Sequence, residues 1–123
     1  MNYFTFSEFD SPDLPNSGRN MDPQFLELLD HARGIAGIQF KINSGYRTPE
    51  HNEKVGGKPR TPTSKGSSHM YGLAVDISCN SSRDRSIILN ALIESGFTRI
   101  GIANSFIHVD LDKSKSQNVV WVY

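Results

Sequence analysis

Two segments of this chain alternate apolar and polar residues as β-strands do, yet both carry aspartate, which is depleted in strands. They are "LAVDIS" at 73–78 and "FIHVDL" at 106–111. In a strand, residues two apart share a face. The apolar residues of each segment therefore occupy one face, and Asp76, His108 and Asp110 occupy the other. Such a pattern predicts a sheet with one face on a hydrophobic core and the other reserved for polar chemistry.

The remaining segments predict the fold class. Helical spacing and caps predict main helices over 21–37 and 81–96, the first ending at Gly34 or Gly37, with a short helix starting at Thr48. Strands are predicted at 38–42, 73–78, 97–102, 106–111 and 119–123. Because strands outnumber helices and the two are not interleaved, we predict an α+β fold with a mainly antiparallel sheet and the two main helices packed on one face. No repeat or linker divides the chain, so residues 1–123 are predicted to form a single domain.

Composition excludes several classes of protein. Hydrophobic residues make up 37% and charged residues 21% of the chain, which is typical of a soluble globular protein. Thirteen basic residues balance thirteen acidic ones, so the basic footprint of a nucleic-acid binder is missing. Cys79 is the only cysteine, which excludes an intramolecular disulfide and CxxC-type zinc sites. No apolar run approaches the ~18 residues that indicate a membrane span.

The amino-terminal residues lack the cationic start and apolar block of a secretory signal. We therefore expect synthesis in the cytoplasm, with release by another agent if the protein acts outside it. We also expect a monomer.

The polar faces of the two aspartate-bearing strands predict a metal site. If the strands are neighbours with their apolar faces on the core, Asp76 and His108 form a cross-strand pair with Cβ atoms ~4.5–5.5 Å apart. His69 lies in the loop entering the first strand and can reach the same place. Two imidazoles and a carboxylate with one open position suit a catalytic zinc ion, which would lower the pKa of a bound water toward ~7.

Other polar features divide between functional and ordinary interpretations. The loop over 56–68 is long for a small domain and is predicted to be functional. His31 and His51 lie on polar helical turns and are interpreted as surface residues. Asp110, two residues past His108, is either the general acid–base or a hydrogen-bond acceptor for a ligand imidazole.

Three motifs, in order, resemble one family. "SSHMYGLAVDI" carries the pattern Ser-x-His-x-x-Gly-x-Ala-x-Asp through Ser67, His69, Gly72, Ala74 and Asp76. It resembles zinc peptidases that act on D-alanine-containing peptides, namely D-alanyl-D-alanine carboxypeptidases, vancomycin-resistance dipeptidases and phage L-alanyl-D-glutamate endolysins. Their fold core is shared with the hedgehog signalling domain. "SGYRTPEHN" and "GIANSFIHVDLD" are similar to the family's upstream and third-ligand segments, so the resemblance spans roughly residues 20–112.

The resemblance implies roles for individual residues. His69, Asp76 and His108 become the ligands of one Zn2+. Arg47 becomes a catalytic and substrate-binding group that holds a substrate carbonyl or carboxylate and steadies the oxyanion, a task suited to its planar, permanently charged fork. Gly72 would either let the backbone pass close to the site or simply relieve a turn.

Two weaker assignments and one departure accompany these roles. Ser67 and Tyr46 are assigned to substrate binding, either in the wall of the pocket or as residues that support the groups in contact with the substrate. Many relatives place the catalytic acid three residues before the third ligand, where this chain has Ser105. Asp110 is then the candidate proton shuttle; otherwise the chain is a metal binder with weak activity.

The resemblance implies a zinc-dependent peptidase that hydrolyses an amide bond in peptidoglycan stem peptides. A phage or prophage endolysin, accumulating in the cytoplasm and acting on the cell wall after release, fits best. The alternatives are a D-alanyl-D-alanine carboxypeptidase or dipeptidase, and a catalytically silent zinc-binding module.

Overall fold

One five-stranded sheet with helices against one of its faces forms the frame of the molecule. The computed structural model describes all 123 residues. The α-helices are α1 (Pro23–Ala36), α2 (Pro49–Lys54) and α3 (Ser82–Ser95), and short 3₁₀ turns cover Phe6–Phe9, Ser17–Asn20 and Ser68–Tyr71. The strands are β1 (Ile42–Ser44), β2 (Ala74–Ser78), β3 (Arg99–Ile102), β4 (Phe106–Asp110) and β5 (Val119–Val122). No helix is long and apolar enough to cross a lipid bilayer.

The strands lie in the order β1-β2-β4-β3-β5, and every neighbouring pair is antiparallel except β3 and β5. The predicted α+β class with a mainly antiparallel sheet is confirmed. The single parallel pair arises because residues 111–118 carry the chain from the end of β4 past β3. β5 then runs in the direction opposite to β4, as β3 does, along the outer edge of β3.

Local sequence signals set the ends of the two long helices. The Asp22 side chain accepts a hydrogen bond from the Phe25 amide at the start of α1, and Pro23 takes the first position, where its missing N–H is not needed. Of the two predicted ends, Gly37 is the observed one, with φ of 68°. The Ser81 hydroxyl caps α3 by accepting from the Asp84 amide.

The core lies between these helices and one face of the sheet. A single cluster joins apolar residues of α1 and α3 to those of the central strands. Val75, Ile77, Ile107 and Val109 are completely buried on that side. Because side chains alternate along a strand, the residues between them face the opposite side of the sheet.

The predicted strand at 38–42 is wrong in its position. The expected alternation is present, with Phe40 buried between exposed neighbours, but the ladder begins only at Ile42. The partner strand explains the shift. β2 ends at Ser78, whose amide donates to the Lys41 carbonyl, and the chain then turns toward α3, so residues 38–40 have no strand beside them.

The register of the sheet aligns five residues in one row across the face away from the helices. Ser44 pairs with Asp76, Asp76 with His108, His108 with Gly101, and Gly101 with Trp121. A register irregularity in β1, between Ile42 and Ser44, brings the serine into this row. The row is the floor of the candidate site.

Gly72 ends the 3₁₀ turn that carries His69 and has a φ of 70°. A Cβ there would lie 2.3 Å from the Asn20 carbonyl oxygen. Gly37, in contrast, has a φ of 68° with open space where a Cβ would stand. Alanine at Gly37 would add only the strain of a positive φ, whereas alanine at Gly72 would add that strain and a clash with Asn20.

We predict that Gly72→Ala lowers the free energy of unfolding by more than about 2 kcal/mol, because it adds a clash to the left-handed strain. Gly37→Ala should cost only about 1 kcal/mol. Urea denaturation of both variants measures the difference. Equal losses would show that the turn relaxes away from Asn20 without cost.

Candidate metal centre

The His69 side chain is delivered by a short turn that several hydrogen bonds hold in place. The Ser67 hydroxyl accepts from the His69 amide at 3.3 Å, and the Arg47 amide donates to the His69 carbonyl at 3.1 Å. The adjacent Ser68 hydroxyl donates to Asp112 at 2.6 Å. This anchoring leaves His69 only 3% exposed and fixes the direction of its ring.

His69, Asp76 and His108 converge above the row on the sheet. One atom from each can be chosen so that all three lie within 4.8 Å of one another. The Asp76 Oδ1 atom lies 3.1 Å from His108 Nδ1 and 3.4 Å from His69 Nε2. Ligand atoms bound tetrahedrally to zinc at 2.0–2.2 Å are about 3.3–3.6 Å apart. The distances from Asp76 Oδ1 to the two histidine nitrogens are close to this spacing.

Neighbouring groups decide which ring nitrogens are available. His69 Nδ1 lies 2.9 Å from the Gly45 carbonyl, which can only accept, so Nδ1 carries the proton and Nε2 keeps its lone pair. His108 Nε2 lies 2.8 Å from Asp110 Oδ2, which leaves Nδ1 to face Asp76 and His69. Both imidazoles thus point a potential ligand atom at the same place.

The burial and contacts of the three groups shift their pKa values in different directions. Burial lowers the pKa of His69, which favours its neutral form. Burial raises the pKa of Asp76, but hydrogen bonds with His108 and His69 outweigh it and hold that pKa well below the ordinary value. Burial lowers the pKa of His108, yet its bonds to Asp110 and Asp76 win and raise it. The raised pKa of His108 favours its charged form beside the Asp76 and Asp110 carboxylates.

Asp110 lies behind the ring of His108, on the side away from Asp76. Its carboxylate is 2% exposed and accepts from His108 Nε2, from Arg99 Nε at 2.9 Å and from the Asp112 amide at 3.1 Å. This position corresponds to the second of the two roles considered for Asp110, the acceptor that orients a ligand imidazole. The ring of His108 therefore lies between Asp110 and the place where His69 and Asp76 converge.

Arg47 is held at the β1 edge by three acceptors. Its Nε donates to the Ser44 hydroxyl at 3.0 Å, and its two terminal nitrogens reach Asn52 and Asp76, each at 3.3 Å. The Asn52 side chain is itself 1% exposed and donates to the Lys58 carbonyl. Since a guanidinium has five N–H donors, two remain for a ligand.

A cavity of about 390 Å³ opens over these groups. Arg47, Ser67 and the three candidate ligands line it, as does part of the 56–68 loop. Tyr46 does not line it, so of the two places predicted for Tyr46 the one in the pocket wall is not found. In an extended segment neighbouring side chains point to opposite sides, so Tyr46 packs against the hydrophobic core while Arg47 faces the cavity.

Several residues of the cavity are not predicted from the sequence. They are Arg99, Lys115, Trp121 and Tyr123. The alternation in "VVWVY" places Trp121 and Tyr123 on one face of β5. The sequence alone does not say which face of the sheet these residues occupy. The pairing of β5 with β3 places them on the face of the candidate site.

We predict that the protein binds one Zn2+ per chain. His69→Ala and His108→Ala should each weaken zinc binding by more than about 100-fold, because losing a residue that only supports a ligand costs up to about 100-fold. His31→Ala, which removes an exposed histidine, should bind as the wild type does. Equilibrium dialysis with elemental analysis measures the stoichiometry, and circular dichroism checks folding. Full zinc content in either of the first two folded variants would exclude that histidine as a ligand.

Comparison with known families agrees with this geometry. The family model described as Peptidase M15 matches residues 2–110, which include all three converging side chains and Arg47. No protein of curated function matches the sequence. Since the matched region covers most of the chain, the protein belongs to the Peptidase M15 family.

Proposed function

We propose that the protein is a zinc-dependent peptidase that hydrolyses an amide bond in peptidoglycan stem peptides, in the role of a phage or prophage endolysin acting on the cell wall. The observation that carries the proposal is the convergence of His69, Asp76 and His108 at the floor of a cavity in a member of a peptidase family. The endolysin role and the substrate rest on the resemblance of the three sequence motifs.

His69 Nε2, Asp76 and His108 Nδ1 would hold the metal ion, which would supply Lewis-acid polarisation of a substrate carbonyl and an activated water. The protein positions these donors before any ion arrives, because the sheet register fixes two of them and the anchored turn fixes the third. Little reorganisation is then needed on binding, which favours both affinity and a defined open position.

Arg47 is the group suited to hold the substrate. Its side chain is 14% exposed, so its charge is only partly screened by water, and its contacts with Ser44, Asn52 and Asp76 fix the plane of the guanidinium. The two remaining N–H groups can donate to a carbonyl oxygen on which negative charge develops, or to a substrate carboxylate. Ser67 completes the wall beside His69.

We assign Asp110 to positioning rather than proton transfer. Its hydrogen bond fixes the proton of His108 on Nε2 and keeps Nδ1 free for a metal. Arg99 holds the carboxylate from behind through Nε, while its Nη1 donates to the Ser116 carbonyl at 2.6 Å. The resulting chain of contacts, from Arg99 through Asp110 to His108, restrains the ligand ring.

A second candidate function, a catalytically silent zinc-binding module, is favoured by one observation. The only carboxylates lining the cavity are Asp76 and Asp110. Asp76 contacts two histidines and Arg47. Asp110 contacts His108 and Arg99. Ser105, at the position where relatives have an acid, lies in the exposed turn before β4 and does not line the cavity. A free carboxylate to accept the proton of the attacking water is therefore missing.

Digestion of purified muropeptides by the zinc-loaded protein, with and without a chelator, separates the functions. Cleavage within the stem peptide that the chelator abolishes is the expected result. Release of terminal D-alanine alone would instead identify a carboxypeptidase. Bound zinc without any cleavage would contradict the proposed peptidase and support the silent module.

We predict that Asp110→Asn weakens zinc binding by about 10–100-fold, because the amide no longer supplies a charged acceptor for His108. Turnover per bound zinc should fall much less than the 10²–10⁴-fold expected for loss of a general acid–base. Zinc titration and muropeptide kinetics at saturating zinc distinguish the two roles. Unchanged affinity with strongly reduced turnover would return Asp110 to the proton-shuttle role.

A further inference from the structure

The last strand supplies part of the cavity although it lies outside the matched family region, which ends at residue 110. β5 adds to the edge of the sheet beside β3, and its residues Trp121 and Tyr123 line the cavity together with the candidate metal ligands. Val120 and Val122, immediately before and after the tryptophan, point to the other face and are 57% and 78% exposed. Trp121 and the following Tyr123 are thus on the face of the sheet that carries Asp76 and His108.

Gly101 allows the indole to approach the metal centre. It pairs with His108 on one side and Trp121 on the other, and a Cβ added to it would lie 2.6 Å from the indole ring. The indole therefore occupies the space above Gly101, with its ring centre 5.5 Å from that of His108. Only a residue without a side chain between the two strands permits this contact.

A wall of three aromatic rings results. Tyr123 lies 5.3 Å from Phe106 and 6.4 Å from Trp121, between ring centres, and all three residues line the cavity. Arg99 lies over the indole of Trp121, with its guanidinium carbon 4.9 Å from the ring centre. At the opposite edge of the sheet the cavity is lined by Arg47 and the neighbouring Lys58. The candidate ligands lie on β2 and β4 and in the turn before β2, between Arg47 and the aromatic wall.

We propose that Trp121 and Tyr123 form a specificity-determining subsite that packs on the small aliphatic side chain flanking the scissile amide. This inference rests on the proposed peptidase function. Its occupant is the peptide rather than the saccharide part of a muropeptide, for two reasons. The indole touches His108 itself, so it contacts groups next to the reacting bond, and a cavity of about 390 Å³ suits a few residues rather than a glycan.

A methyl group packed on aromatic surface gains contact and loses water, whereas glycine offers nothing to pack. Each bond considered for this protein, in L-alanyl-D-glutamate or D-alanyl-D-alanine, is flanked by alanine. The subsite should therefore prefer alanine to glycine beside the cleaved bond by about 10-fold, the lower end for one carbon group in an apolar pocket.

Kinetics of folded variants test the role of the wall. Trp121→Ala should raise KM by at least about 10-fold, leave kcat within about three-fold and abolish the preference for alanine, while Trp121→Phe retains part of it. Val120→Ala, on the same strand and opposite face, is the matched control and should behave as the wild type does. Zinc content should be unchanged in all three. A preserved alanine preference in Trp121→Ala, or loss of its zinc, would overturn the subsite and leave the indole only a shield for His108.

A binding measurement separates this inference from the peptidase proposal. Trp121 is the only tryptophan of the chain, so its fluorescence reports on the wall alone. The zinc-loaded protein is titrated with a stem peptide whose scissile amide is replaced by a methylene-amine link, and with its glycine analogue. A saturable change in Trp121 emission, with tighter binding of the alanine peptide than of the glycine peptide, supports the subsite. If muropeptides are nevertheless not cleaved, only the peptidase proposal is contradicted. Cleavage without any response of Trp121 overturns the subsite alone, and absence of binding overturns both.

Discussion

The register between β2 and β4 is the constraint on which the site depends. It places Asp76 directly opposite His108, and both are on the face that does not meet the helices because Val75, Ile77, Ile107 and Val109 face the core. A slip of one residue would exchange the two faces, burying the carboxylate among aliphatic groups and exposing the valines. The hydrophobic core thus enforces the geometry of the polar centre from the other face of the sheet.

Burying so many polar groups is costly unless each finds a partner. Every fully buried side-chain nitrogen and oxygen of this protein has one. The two histidines and two carboxylates of the centre are linked to each other, and Arg47 and Arg99 close the network at its two ends. Such a closed network holds the candidate ligand atoms in place. It also leaves no free carboxylate in the cavity. The same sheet and side chains therefore suit either a peptidase or a silent metal-binding module.

How far the sequence predicts this structure depends on whether a feature is local. The alternation in β2 and β4 gives the face of Asp76 and His108 directly, and helix caps such as Asp22 give helix ends. Features that depend on what lies beside a segment are not predictable in this way. Residues 38–40 alternate as a strand does but lack a partner, and Trp121 gains its position from Gly101 twenty residues earlier in the chain. Asp110 shares a face with His108 as predicted, but its position behind the ring follows from Arg99, which only the pairing of β3 with β4 brings near.

We propose that one cation is held by side chains from two paired strands and the turn before the first of them. Anomalous diffraction at the zinc edge, from crystals grown with zinc, would locate that cation. We expect one peak about 2.0–2.2 Å from His69 Nε2, His108 Nδ1 and an Asp76 oxygen, with Asp110 still bonded to His108 Nε2. A peak bonded elsewhere, or to only one of the three residues, would contradict it.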